Sequence, residues 1–351
     1  MSRIRERASG VIRRAAHSSP LRISGGGAVV AFAFLVTSLG CAPTPAPQER
    51  VTIAVIPKGT THAFWKAIHA GAEKAAQELD VDVIWKGPGR EDDRDAQIAE
   101  VENFVSRGVS GIVLAPTDDK ALRIPVRNAM RSGVPVVIMD SALDSEDYVS
   151  FVATDNYQGG QLAGERMGTV LGGRGRVIML RYMEGSASTM KREQGFLDAI
   201  GTFAEVDVVS SNQYAGATAE SAYQASENLL ARFEPNEGSS AIDGIYCPNE
   251  SSAFGMLRAL QDRGLAGKVT LIGFDASEQM VRALEQGEFD SLVLQDPVNM
   301  AYLSVRTMVA HLNGESVDAR IDTGVSLVTR DAMNEPRNQE LLRPDIDRYL
   351  Q

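Results

Sequence analysis

The hydrophobic positions of the chain switch between two periods. Val51-Thr-Ile-Ala-Val-Ile56 is a short apolar run rich in β-branched residues and reads as a strand. Phe64 to Leu79 then sets Trp65, Ile68, Ala72, Ala75, Ala76 and Leu79 at helical spacing. Strand patterns recur over 81–85, 111–115 and 134–139. Helical patterns run over 96–107, closed by Gly108, and over 119–132 despite Pro125. The same order then returns. Strands are expected over 176–180, 206–210, 242–247, 269–273 and 291–294, with helices over 191–200, 218–232, 252–263 and 298–312. Strands alternating with helices predict parallel sheets covered by helices on both faces. The fold class is therefore α/β, with two doubly wound parallel-sheet lobes. Two echoes support a duplication. Gly111-Ile-Val-Leu-Ala-Pro-Thr-Asp118 is similar to Gly244-Ile-Tyr-Cys-Pro-Asn-Glu250, and strand four of each half ends in an aspartate, Asp140 and Asp275.

The first residues follow neither period. Arg3, Arg5, Arg7, Arg13, Arg14 and Arg22 precede an apolar run from Ala28 to Leu39, which Gly40-Cys41 follows. A basic segment before such a run is the pattern of an export signal. The run is too short to span a bilayer, which needs about 20 residues. Gly40-Cys41 resembles a bacterial lipobox. Residues 1–40 are accordingly expected to be a lipoprotein signal peptide, with lipidation at Cys41 and a Pro-rich tether over 41–50. An ordinary signal peptide with an unmodified cysteine is the plainer alternative.

Composition narrows the function. The chain has 351 residues, a formal charge of −11, 44% hydrophobic and 23% charged residues. That length suggests two domains, and those fractions suit folded cores. The acidity argues against a nucleic-acid partner, which needs a basic stripe. Two cysteines exclude a disulfide framework and a thiolate cluster, and the four histidines show no metal-ligand spacing. Gly172-Gly-Arg-Gly175 precedes a strand instead of following one, so it reads as a turn and not as a dinucleotide loop.

In open α/β sheets, ligands bind beyond the carboxyl ends of the strands. The residues there are Lys58, His62, Phe64, Trp65 and Asp140 in the first half, and Met183, Glu184, Asn249, Glu250, Phe274, Asp275 and Gln295 in the second. Aromatic rings among carboxylates, amides and a lysine suit a sugar, whose CH faces stack while its hydroxyls both donate and accept. No nucleophile stands with its base, so no catalytic residue is assigned. Plainer readings exist for each. Asp140 and Asp275 suit helix N-caps, Phe64 and Trp65 a helix core, Asn249 a turn after Pro248, and His62 a solvated loop. Arg192, near a helix start, wants an anionic or hydroxyl partner that a surface salt bridge would also supply.

These residues together resemble the type I periplasmic sugar-binding proteins of the ribose-binding family, the receptors of ABC importers. The resemblance runs from Val51 to about Arg330. Its pieces are Val55-Ile-Pro-Lys58 with Phe64-Trp65, the stretches 107–118 and 134–140, Thr154-Asp-Asn156 with Gly159-Gly160, Arg192-Glu-Gln-Gly-Phe196, Ile272-Gly-Phe-Asp275, and Gln295. The resemblance implies a three-crossing hinge, near Thr154, Gln295 and Val325. It implies a first lobe of 51–153 plus 296–325 and a second of 154–295 plus 326–351. It also implies a substrate-binding lipoprotein that captures a monosaccharide (a pentose, hexose or related polyol) and hands it to a membrane permease. Such a protein is no enzyme, takes no cofactor or metal, acts as an exported monomer, and meets the membrane only through its lipid.

Carried over by residue, Phe64 and Trp65 would sandwich the sugar ring and Asp140 would accept from hydroxyls. Arg192 would donate to hydroxyls and to the ring oxygen. Asn249, Asp275 and Gln295 would complete the polar ring, with Phe274 as apolar wall. Two positions depart from the ribose pattern: Lys58 replaces a small hydroxyl residue, and Ser141 replaces an arginine. The family's second-lobe aromatic has no clear match: Tyr214 is nearby, but the equivalent stretch reads Gly216-Ala217. The lysine leaves open a receptor for a furanosyl autoinducer or cyclitol, or a chemotaxis sensor. A repressor-type effector domain would need a helix-turn-helix where the signal segment stands.

Overall fold

The computed structural model describes residues 20–22, 50–233 and 241–350. Cys41, the apolar run and residues 41–49 of the tether lie outside the described residues, and every element below belongs to the unit 49–351.

The first sheet takes its strands from β1 (Thr52–Ile56), β2 (Asp82–Trp85), β3 (Gly111–Leu114), β4 (Val136–Met139) and β5 (Ser150–Ala153). Helices α1 (Ala63–Leu79), α2 (Arg94–Arg107) and α3 (Arg123–Arg131) connect them. Successive residues of β1 point to opposite faces. Ile53 and Val55 pack with Trp65 and Ile68 of α1, while Ala54 and Ile56 pack with Phe104 of α2 and Val126 of α3. Both faces are therefore covered, which is why the strands read as unbroken apolar runs.

The second sheet repeats the plan. After α4 (Asn156–Val170) come β6 (Arg174–Arg181), α5 (Ala187–Ile200), β7 (Glu205–Tyr214), α6 (Ala219–Leu230), β8 (Gly244–Tyr246), α7 (Glu250–Asp262), β9 (Thr270–Phe274), α8 (Glu278–Gln286) and β10 (Ser291–Leu294). Helix α9 (Pro297–Leu312) returns to the first lobe, where Met300 and Val305 join the Ile53 core, and β11 (Arg320–Asp322) pairs with β5. The chain then enters β12 (Ser326–Thr329), antiparallel to β10, and ends with α10 (Pro336–Leu342), whose Leu341 and Leu342 pack in the second core.

The strand orders are β11-β5-β4-β3-β1-β2 and β12-β10-β9-β8-β6-β7. Every ladder is parallel except β10 with β12. The chain changes sheet three times, after β5, after β10 and between β11 and β12.

Several elements depart from the sequence expectation. The helix expected over 119–132 begins only at Arg123, so Pro125 falls in its first turn, where its missing N–H costs little. Helix α4 gave no clear signal because Gly159, Gly160, Gly164 and Gly168 weaken helix propensity. Packing requires Gly160: a Cβ there would lie 2.0 Å from the Arg192 carbonyl oxygen of α5. The short β5, β11 and β12, and the helices α8 and α10, were likewise unanticipated. Cys247, just after β8, is a buried free thiol whose pKa burial pushes well up.

Candidate ligand site between the lobes

The loops that leave β1, β4, β6, β8, β9 and β10 meet between the two sheets. Lys58, His62, Phe64, Trp65, Asp140, Arg192, Asn249, Asp275 and Gln295 line one enclosed space there of about 20 Å³. That is room for about one water, so a sugar held here takes over hydrogen bonds that these side chains make with one another. Wider grooves of about 710 and 530 Å³ open beside α9 and the 341–346 segment. The buried Lys58, Asp140, Arg192 and Asp275 of the two lobes converge on the small space, which makes it the candidate site, and the groove of about 530 Å³ adjoins it through Phe64, Glu250, Asp275 and Gln295.

Lys58 Nζ lies 3.0 Å from Asp140 Oδ2 and donates across the cleft to Ser188 Oγ (2.9 Å) and Ser186 Oγ (3.3 Å). Asp140 ends β4 in the left-handed region, at φ 62°. Asp275 ends β9 in the same way, at φ 67°. Neither caps a helix, which corrects the plainer reading of both: Ser277 caps α8, and Asp140 leads toward β5. A left-handed aspartate costs about 1 kcal/mol, and such strain collects at ligand sites.

Arg192 comes from α5 and is buried. Its Nε donates to Asn156 Oδ1 (2.8 Å) and its Nη1 to the Pro248 carbonyl (3.0 Å), and it stands 3.7 Å from Asp275. The guanidinium lies over the Phe274 ring, 3.8 Å from the centroid. Phe274 therefore supports the arginine from within the second core and does not wall the enclosed space. Gln295 Nε2 donates to Asp275 Oδ1 (2.7 Å). Gln295 Oε1 is buried and has no partner among the described residues, so it is an acceptor open to a ligand hydroxyl. Burial pushes the Asp275 carboxyl up from its ordinary pKa, against the pull of Arg192 and Gln295.

Asn249 lines the site but is also the N-cap of α7. Its side chain accepts from the Ser252 N–H (3.3 Å) in a capping box and donates to Ser251 Oγ (3.0 Å). Ser141 lies behind the site, where its Oγ accepts from the Ser188 N–H across the cleft (3.1 Å). Phe64 and Trp65 meet edge to face with centroids 4.9 Å apart. Two rings in contact leave no gap for a sugar, so the sandwich expected of this pair is not formed. Both line the site and pack into the first core.

Four lining groups were missing from the expected site. Glu91, past β2, accepts from Trp65 Nε1 (2.9 Å) and from the Tyr182 hydroxyl of the other lobe (2.9 Å), and it meets His62 Nδ1 at 2.6 Å. Burial favours the neutral form of Glu91, but His62, Lys58 and Trp65 hold its pKa below the usual carboxylate range. Burial also works against a charged His62, yet Glu91, with Glu250 and Asp275 beyond it, pushes the imidazole up to about 9. His62 is thus an ion-pair member and not a solvated loop residue. Tyr182 supplies the second-lobe aromatic. It directly follows β6, between the expected strand end at Leu180 and the flagged Met183, whereas Tyr214 is exposed under Arg181. Ser188 and Thr189 line the space from α5.

Glu250, flagged at a strand end, also lines the space and accepts from the N–H groups of Ala63 (3.1 Å) and Phe64 (3.0 Å) in the first lobe. Lys58, His62 and Arg192 each face a carboxylate, Asp140, Glu91 and Asp275. The site can thus take up a neutral polyhydroxy ligand without stranding a buried charge.

Residues 53–316 match the family described as a periplasmic binding protein domain. The ribose import binding protein RbsB of Haemophilus influenzae is 28% identical over 291 residues, which cover 83% of this chain and 96% of that protein. A carbohydrate transporter solute binding protein from Agrobacterium radiobacter, solved in complex with D-arabinose, is 34% identical at a TM-score of 0.80, over 84% of this chain and 100% of its own. An ABC transporter solute binding protein from Agrobacterium vitis with bound D-fucose is 32% identical at a TM-score of 0.78, over 83% and 99%. The matched stretch takes in every loop that lines the space and the strands of both sheets except the edge strands β11 and β12, and the chain belongs to the periplasmic binding protein domain family.

Proposed function

We propose that this protein is the substrate-binding component of an ABC importer and that it captures a neutral monosaccharide between its two lobes. The observation that carries the reading is the convergence of Lys58 and Asp140 from one lobe with Arg192 and Asp275 from the other around one enclosed space. Aromatic faces from Trp65 and Tyr182 and the open acceptor of Gln295 complete a surface that both stacks and hydrogen-bonds. The relatives named above are described with ribose, D-arabinose and D-fucose.

Lys58 and Ser141 favour a sugar other than ribose, since both side chains are engaged with the second lobe. The moving bodies are residues 51–153 plus 296–325 and residues 154–295 plus 326–351. Gly40-Cys41 after an apolar run supports export and a lipid anchor, and the importer reading supplies a membrane permease as partner of a monomeric receptor. The protein binds its sugar and does not convert it.

Isothermal calorimetry over D-ribose, D-arabinose, D-allose, D-fucose and xylitol tests the reading. At least one member should bind with a 1:1 stoichiometry, and silence across the panel overturns the assignment.

A further inference from the structure

We propose that Glu250 is a positioning residue for sugar capture: from the second lobe it caps helix α1 of the first, so that forming this cap is part of closing the cleft. The inference rests on the capture reading above.

The first N–H groups of a helix have no partner inside it. Among the described residues, six other helices solve this locally with a side chain, α7 through Asn249, whereas α3, α5 and α10 have no side-chain cap. Asp93, Asp155, Thr218, Ser277 and Asp296 each turn a side chain onto the helix that follows. Helix α1 does not. Its N-cap residue is His62, which makes no capping hydrogen bond, and its first turn holds no acid. The imidazole is turned to Glu91 instead. The missing acceptors come from 187 residues along the chain, one Glu250 oxygen to the Ala63 N–H and the other to the Phe64 N–H. A carboxylate there also has the favourable sign for the helix dipole.

Glu250 has no comparable duty in its own helix. It is the first residue of α7, where Asn249 and Ser252 already form a complete capping box. Its side chain is thus free to serve the other lobe. The charged groups that face it are His62 and Asp275, from the loops after β1 and β9. The cap also fixes the start of α1, and so the Phe64-Trp65 pair that lines the site. Parting the lobes hands both N–H groups and the carboxylate to water, so the two hydrogen bonds favour the closed state alone. The cap adds to the affinity for any sugar without choosing among sugars.

Glu250→Ala and Glu250→Asp test this. Aspartate keeps an acid at the first residue of α7 but is one methylene too short to reach α1. Both variants should weaken D-arabinose and D-ribose by the same factor, roughly tenfold, through faster dissociation. Residue-resolved amide exchange reads the cap directly. With saturating D-arabinose, the Ala63 and Phe64 amides should exchange about tenfold faster in both variants than in wild type, and the amides of α7 should be unchanged. Unaltered exchange at Ala63 and Phe64 overturns the proposal. So does a changed D-arabinose to D-ribose preference, which would make Glu250 a ligand contact, or wild-type dissociation in Glu250→Asp. If neither sugar binds wild type, the choice of sugar is at fault. The exchange comparison is then made with a member of the sugar panel that does bind, where equal exchange in wild type and Glu250→Ala overturns the cap.

Discussion

Asp140 and Asp275 hold the same left-handed backbone, φ 62° and 67°, at the ends of β4 and β9. Each meets a cation at its carboxylate, Lys58 at 3.0 Å and Arg192 at 3.7 Å. Each also has its N–H tied to the neighbouring strand, Asp140 to the Val152 carbonyl and Asp275 to that of Val293. The two lobes thus offer a sugar equivalent acceptors from opposite sides. Asparagine tolerates the same backbone, so Asp275→Asn should fold with a near wild-type melting temperature. It should bind on the order of 10²-fold more weakly, because a hydrogen bond to a charged group is worth about 1.5–3 kcal/mol. Calorimetry beside a melting curve separates the two effects, and wild-type affinity in Asp275→Asn would place the ligand elsewhere.

Lys58 should act on choice as well as on strength. Its ammonium reaches Asp140 in one lobe and Ser188 in the other, so its removal leaves Asp140 buried without its cation. Lys58→Ala should reorder the panel of sugars by affinity. An unchanged order with uniformly weaker binding would reduce Lys58 to a partner of Asp140.

The tryptophans divide cleanly. Trp65 lines the site and donates to Glu91, whereas Trp85 stacks on His69 at 4.5 Å, away from it. A sugar-induced change in emission should therefore survive Trp85→Phe and vanish in Trp65→Phe. The opposite pattern in a fluorescence titration would remove Trp65 from the site.

His62 carries the pH dependence. Its pKa is raised from 6.5 to about 9, so its pairing with Glu91 stabilises the fold in full below about pH 6.5 and is lost as pH rises through 9. The stability difference between wild type and His62→Gln, from urea melts, should shrink steadily from pH 7 to pH 10. A constant difference over that range would mean that His62 is neutral throughout.

Lipidation has a direct assay. Fatty-acid label should enter the wild-type chain in cells and be absent from Cys41→Ala; label that persists in that variant would remove Cys41 as the lipidated residue, and a wild-type chain without label would point to an ordinary signal peptide.

The strand ends made much of the site legible. Apolar runs fix where β1, β4, β8, β9 and β10 stop, and the parallel order brings those ends together, so Lys58, Asp140, Asn249, Asp275 and Gln295 could be read in advance. Glu91, Tyr182 and the duty of Glu250 could not, because each is defined by a partner in the other lobe. No local period records that Tyr182 reaches Glu91 or that Glu250 reaches α1. Ring geometry was equally hidden: Phe64 and Trp65 are neighbours in any reading, but only coordinates set them edge to face.

Cys247 sits in the core of the second lobe, buried and with its thiol held protonated. Disulfide exchange and alkylation both require an accessible thiolate. The second lobe therefore keeps a single covalent form whatever the redox potential around it, and sugar exchange in the cleft leaves the sulfur untouched. A thiol reagent added to the Cys41→Ala variant becomes a clock for that lobe's unfolding, blind to every opening and closing of the cleft.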